Sequence, residues 1–196
     1  GKARIGSGWA KCWAPRSLSG FPSTEYKVLN TGRANSAHMK LYLLQHGDAL
    51  PEQVNPERPL SKLGREDVKR LAEFVLNHGI LVKHVYHSGK TRARETAEIV
   101  AARMAAGVKI EATTGLNPND PVEPIAKQIN NWQEDSLLVG HMPFMGRLAA
   151  YLLSGNSNSQ FVAFEPGSML CLERDEFGRW AIVWMLRPEL LTTAKE

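Results

Sequence analysis

From residue 39 onward, short apolar runs alternate with longer stretches in which apolar side chains recur every three or four positions. The runs Lys40–Leu44, Lys83–Tyr86, Lys109–Ala112, Ser136–Val139, Ser168–Glu173 and Trp180–Met185 have the length and β-branched or aliphatic content of strands. Between them, Ser61–Asn77, Arg92–Ala106, Pro121–Trp132 and Phe144–Leu153 carry the helical period. In the first of these, Val68, Leu71, Ala72, Val75 and Leu76 form a single stripe, and Ser61 is placed to cap its amino end. Asp120 or Asn119 is placed to cap the third helix, whose first turn would hold Pro121.

Near-continuous apolar strands are buried on both faces, and strands alternating with helices predict an α/β three-layer sandwich with a mainly parallel central sheet. Asp175-Glu176-Phe177-Gly178 separates the last two strands as a hairpin turn, which adds an antiparallel edge strand. On that last strand Trp180, Ile182 and Trp184 alternate, which predicts one shared face and a packing role.

Composition changes the picture only at the amino end. The chain has 196 residues, 43% of them hydrophobic and 22% charged, as in an ordinary globular domain. Its pI near 9.1 points toward nucleic acid until the charge is located. Residues 1–38 hold six Lys/Arg and one acid, a net of +5, whereas 39–196 hold 18 basic and 19 acidic residues, a net of −1. No nucleic-acid partner is therefore expected. Residues 1–38 show neither period nor the apolar core of an export signal. The dipeptide His38-Met39 matches a cloning site overlapping a start codon. We expect 1–38 to be a vector-derived or flexible extension and 39–196 to form one domain; the competing reading is a native basic tail that buries Trp9, Trp13 and Phe21 against a partner. Cys12 and Cys171 are too few for a disulfide framework, and no apolar run reaches the ~20 residues of a membrane span. A cytoplasmic protein without a membrane partner is the expectation.

In doubly wound sheets ligands gather at the carboxyl ends of the strands. Three residues far apart in sequence fall there: His46 after the first strand, Arg92 at the start of the second helix, and His141 after the fourth strand. A neutral imidazole can attack phosphorus and split hydrolysis into two easier steps. Gly47 would let phosphate and backbone approach closely, and Arg92 offers a planar fork for phosphate oxygens at a helix amino end. His141, protonated or donating a hydrogen bond, would stabilise charge on the transferring group. Gly89-Lys90-Thr91 imitates the end of a P-loop, but position 84 is His where that loop needs Gly. His78, His84 and His87 have no neighbours at zinc spacing, so no metal or other cofactor is expected.

Gln45-His46-Gly47-Asp48-Ala49, with Arg58-Pro59-Leu60-Ser61 and Gly64 beyond it, resembles the Arg-His-Gly segment of the histidine phosphatase superfamily, particularly its SixA-type phosphohistidine phosphatases. Ser88-Gly89-Lys90-Thr91-Arg92-Ala93-Arg94-Glu95-Thr96-Ala97 resembles the second motif, and Val139-Gly140-His141-Met142-Pro143 the third. The resemblance implies a phosphatase that works through phospho-His46, with Gln45, Gly47, Arg92 and His141 around the phosphate and a phosphohistidine-containing signalling or phosphotransfer protein as substrate. It implies no long lid, because Leu116–Asp120 leads straight into a helix. If an acid is needed, Asp48 or Asp120 is the candidate, and His87 lies near the rim.

Gln45 replaces the family's arginine, a loss of one charged contact worth about 1.5–3 kcal/mol, which Lys90 or Arg94 is placed to offset. Two alternatives stay open: a degenerate phosphatase that binds a phosphoprotein without turnover, and a small-molecule phosphomonoesterase of the same superfamily.

Overall fold

The computed structural model describes residues 38–105 and 107–192. The 1–38 extension, His38 excepted, lies outside the described residues, as does Ala106 at the expected end of the second helix. β1 (Met39–Gln45) is the near-continuous apolar run, and all but one of its side chains are buried. It lies between β4 (Ser136–Gly140), its parallel neighbour, and β5 (Met169–Arg174), its antiparallel one. β2 (His84–His87), β3 (Ile110–Ala112) and β6 (Trp180–Leu186) complete a six-stranded sheet ordered β3-β2-β4-β1-β5-β6. Pairings β2–β3 and β2–β4 are parallel and β5–β6 antiparallel, so the expected antiparallel edge is a hairpin pair.

Even residues of β1 face α1 (Lys62–Asn77) and α2 (Thr91–Met104); odd residues face α3 (Glu123–Ile129) and α4 (Phe144–Ser154). Tyr42 and Leu44 thus meet Val68, Leu71, Ala97 and Val100, while Leu41 and Leu43 meet Ile125, Ile129, Phe144 and Leu148. These two apolar layers, closed off from water on both faces of the sheet, are the main source of stability.

α1 begins as its sequence predicts, with the Ser61 hydroxyl accepting the Gly64 amide at 3.0 Å. α3 differs. Asp120 does not cap it: its Oδ2 accepts the Asn117 amide at 2.8 Å instead, closing the loop before the helix. The helix therefore starts at Glu123, with Pro124 rather than Pro121 in its first turn. It ends by Ile129 because the Arg174 guanidinium takes the carbonyls of Ile129, Asn130 and Trp132, the groups a longer helix would bond internally. The last strand is also corrected. A register shift opposite Cys171/Leu172 leaves Val183 as an extra residue. That bulge turns Trp184 toward the α1/α2 layer, 5.8 Å from the Tyr42 ring, while Trp180 packs on the α3/α4 layer.

The loop after β1 rests directly on α1. A Cβ built on Gly64 would lie 2.1 Å from the Asp48 carbonyl oxygen, a backbone atom that cannot step aside. Gly64→Ala is expected to destabilise the fold by about 1–3 kcal/mol, read as a lower urea midpoint with unchanged slope. An unchanged midpoint would mean that this loop moves freely off the helix.

Candidate active site

β1, β2 and β4 end on one rim, and the three residues predicted to share it are brought together. The His46 amide donates to the Gly140 carbonyl at 3.0 Å, and the Ser88 amide to the Val139 carbonyl at 3.3 Å, fixing the three strand ends against one another. The rings of His46 and His141 lie 4.9 Å apart at 59°. Arg92, in the first turn of α2, donates from Nε to His46 Nε2 at 3.1 Å.

His46 is held in one tautomer. Its Nδ1 lies 2.7 Å from its neighbour's carbonyl, that of Gly47, an acceptor only, so Nδ1 carries the proton. Nε2 then bears the lone pair, and Arg92 supplies the donor facing it. Burial pushes the ring's pKa down to about 4, with Arg92 and Arg58 adding to the fall and the Gly47 carbonyl and Asp48 opposing it. His141 goes down to about 3, through burial first and then through His46, Arg92, Lys90 and Arg58. Of the two forms expected for His141, protonated or donating a hydrogen bond, the lowered pKa favours the second, and it favours a neutral His46 as well.

These depressed values carry a stability prediction. The unfolded chain binds both protons near pH 6.5, whereas the fold resists them until about 4 and about 3. Between pH 6.5 and 4 the unfolded state holds more protons, so stability rises with pH and is lost on acidification. Thermal unfolding from pH 7 to 4 is expected to show a falling Tm, with a shallower fall in His141→Ala. Equal slopes in the two proteins would contradict the assignment.

Gly47 is also held small from behind. A Cβ there would lie 2.7 Å from Val68 Cγ2 and 3.0 Å from the Gly64 carbonyl oxygen, so the residue is small because α1 packs on it. Its amide donates to Thr96 Oγ1 at 3.1 Å, and the Thr96 hydroxyl donates to the Arg92 carbonyl at 2.7 Å. Thr96 thus ties the His46 loop to the turn that carries Arg92. Gln45 is 8% exposed, projects toward the α4 side of the sheet, and has a buried Oε1 without a partner among the described residues.

Neither candidate acid touches the imidazole pair. Asp48 accepts the Ser61 hydroxyl at 2.5 Å and so braces the start of α1, and Asp120 is engaged in its own loop. His87 is buried, its pKa lowered by burial, and its Nδ1 accepts the Gly89 amide at 3.0 Å; it shapes the turn that precedes Arg92. Arg94 pairs with Glu98 at 3.8 Å, whereas Lys90 acts on His141.

Two contributors escaped the sequence reading. Arg58, in a left-handed conformation (φ 48°), lowers the pKa of His46, Arg92 and His141 alike. Its segment is anchored by Glu95, whose carboxylate accepts the Leu60 amide at 2.8 Å and Arg65 at 2.6 Å. Ser88 lies with its Oγ 2.6 Å from His141 Nε2. The only signal for either in the sequence was membership of a quoted motif.

The arrangement gathers cationic side chains around the His46 Nε2 lone pair at the rim of the sheet. Among the described residues Arg58, Lys90 and Arg92 pair with no carboxylate, so their charge is available to an anion. Among those residues no helix is long and apolar enough to cross a membrane.

Comparison with known proteins agrees with this geometry. Residues 41–118 match the family model of the histidine phosphatase superfamily, branch 1. An uncharacterised protein of Picosynechococcus sp. is 29% identical over 126 residues, 61% of this chain and 76% of the relative. The human mitochondrial serine/threonine-protein phosphatase PGAM5 is 24% identical over 149 residues, 70% of this chain; the chain spans about half (51%) of that relative's length. The structure of the protein histidine phosphatase SixA complexed with tungstate superposes with a TM-score of 0.70 at 22% identity, covering 79% of this chain and 100% of that one. That last likeness establishes the fold, and the stretch of the chain that matches the histidine phosphatase superfamily model, residues 41–118, carries the His46 and Arg92 motifs.

Proposed function

We propose that this chain is a metal-independent phosphohistidine phosphatase of SixA type, acting in a reducing, cytoplasmic setting on a phosphotransfer protein. Residues 39–196 are the catalytic domain in this reading, and 1–38 take no part in the chemistry. The observation that carries it is the locked tautomer of His46, whose Nε2 lone pair is presented to the pocket beside Arg92. In the first step that lone pair bonds to phosphorus as the bond to the substrate's ring nitrogen breaks. The departing nitrogen keeps the electron pair and takes a proton from water. In the second step a water oxygen attacks phosphorus, the P–Nε2 bond breaks, its electrons return to His46, and the water's proton passes to solvent.

Arg58, Lys90 and Arg92 supply the charge that a metal or the family's arginine would bring. A leaving imidazole accepts a proton near neutral pH, so the engagement of Asp48 and Asp120 elsewhere is no obstacle. The solved SixA with tungstate, an oxyanion, supports an anion pocket on this fold. The name of the human relative points to phosphate esters of serine and threonine instead. Phosphate release from a phosphohistidine-bearing phosphotransfer protein and from a phosphoserine peptide, both under excess chelator, decides between them. Release from the first alone supports the proposal; release from the ester alone, or a requirement for metal, overturns it.

Gln45 bears on affinity. Its Oε1 is buried without a partner among the described residues, and an amide brings no charge to an anion, whereas arginine brings donors and charge. Gln45→Arg is expected to lower KM for small phosphorylated compounds by about tenfold. An unchanged or raised KM would mean that the site is built around the amide.

A further inference from the structure

His141 has one side-chain partner among the described residues, the Ser88 hydroxyl 2.6 Å from its Nε2, while its Nδ1 is buried with none. A neutral imidazole carries one N–H and one lone pair, so two arrangements fit that contact. In one, Ser88 donates to Nε2, which strands the ring's N–H at Nδ1 where no acceptor reaches it. In the other, Nε2–H donates to Ser88 Oγ, the stranded atom is a lone pair, and the hydroxyl keeps its own proton for another acceptor. Buried donors without partners are rarer in folded proteins than buried acceptors without them, which favours the second arrangement. Ser88 Oγ has no other side-chain partner among the described residues, and the residue stands on the rim, four positions before Arg92.

We propose that Ser88 is a catalytic residue: it accepts the Nε2–H of His141 and donates its own hydroxyl proton to an oxygen of the phosphoryl group on His46. This rests on the function proposed above and adds to it a phosphate contact outside the residues first assigned. The hydroxyl, polarised by His141, binds an equatorial oxygen more strongly as charge builds there. Part of the contribution of His141 then passes through Ser88.

The full chain, its Ser88→Ala and Ser88→Thr variants, His141→Ala, and the double variant Ser88→Ala/His141→Ala are compared on a phosphohistidine-bearing phosphotransfer protein. Ser88→Ala is expected to lower kcat about 10–100-fold while KM moves less than about threefold, and Ser88→Thr to recover most of the loss. The double variant is expected to be little worse than His141→Ala, because the two act as a unit. Wild-type kcat in Ser88→Ala, or fully additive losses, overturns the proposal. Nitrogen NMR of His141 in the wild-type protein supplies a readout that needs no turnover: a proton on Nε2 supports the arrangement, and a proton on Nδ1 overturns it. A wild type that releases no phosphate overturns the function proposed above and the phosphate contact with it, while the spectrum still decides the tautomer.

Discussion

Replacing His46 with alanine is expected to reduce phosphate release by more than about a thousandfold, because in the proposed mechanism it removes the atom that bonds to phosphorus rather than one that assists. The loss follows from geometry. The Gly47 carbonyl fixes the proton on Nδ1, Arg92 faces the lone pair on Nε2, and burial keeps the ring neutral down to about pH 4. His141, the other imidazole on this rim among the described residues, is more deeply buried, and its Nε2 is engaged by Ser88. The variant should fold, since the ring's hydrogen bonds run to its neighbour's carbonyl and to Arg92 and hold no element in place. Initial rates together with a thermal melt check both halves of this statement. A variant that keeps its melting temperature and more than a few per cent of its rate would show that the nucleophile is elsewhere.

Arg92→Ala is expected to be the next most damaging change, lowering kcat/KM about 100- to 1000-fold. Arg92 sits at the amino end of α2, its guanidinium unpaired with any carboxylate among the described residues and in contact with His46 Nε2, the atom proposed to attack. In the proposed phospho-His46 state, the donor that faces the Nε2 lone pair would meet the phosphoryl oxygens. Arg92→Lys is expected to recover less than about a tenth of the loss, because an ammonium lacks the planar fork. Lys90→Ala, by contrast, removes an exposed and screened charge and is expected to cost only a few-fold. Full rescue by lysine would reduce the role of Arg92 to bulk charge.

The rim itself was legible because hydrophobic pattern and motif order converge on it. Continuous apolar runs place β1, β2 and β4 side by side, and the residues that follow them can only emerge at one edge. What the pattern missed are facts of close contact. A period-2 reading put Trp180 and Trp184 on one face, but a bulge at Val183 inserts one residue and reverses the alternation. Asp120 has the side chain of a helix cap, yet the nearer amide of Asn117 claims it. Gly47 suggested room for phosphate, and the tight constraint proves to be Val68 and the Gly64 carbonyl behind it.

Arg58 and Ser88 were harder still. Neither follows from periodicity, and each acquires meaning only once the loop anchored by Glu95 and the strand ends are assembled. The substitution at Gln45, by contrast, was visible at once, and Arg58, Lys90 and Arg92 from other segments bring positive charge to the two imidazoles.

The most direct test of a covalent histidine intermediate is to quench the full chain in alkali during turnover of a labelled phosphohistidine protein and map the phosphorylated residue. The account predicts an acid-labile, alkali-stable phosphate on His46 that is absent from His46→Ala. Label on any other residue, or label that persists in that variant, would contradict it.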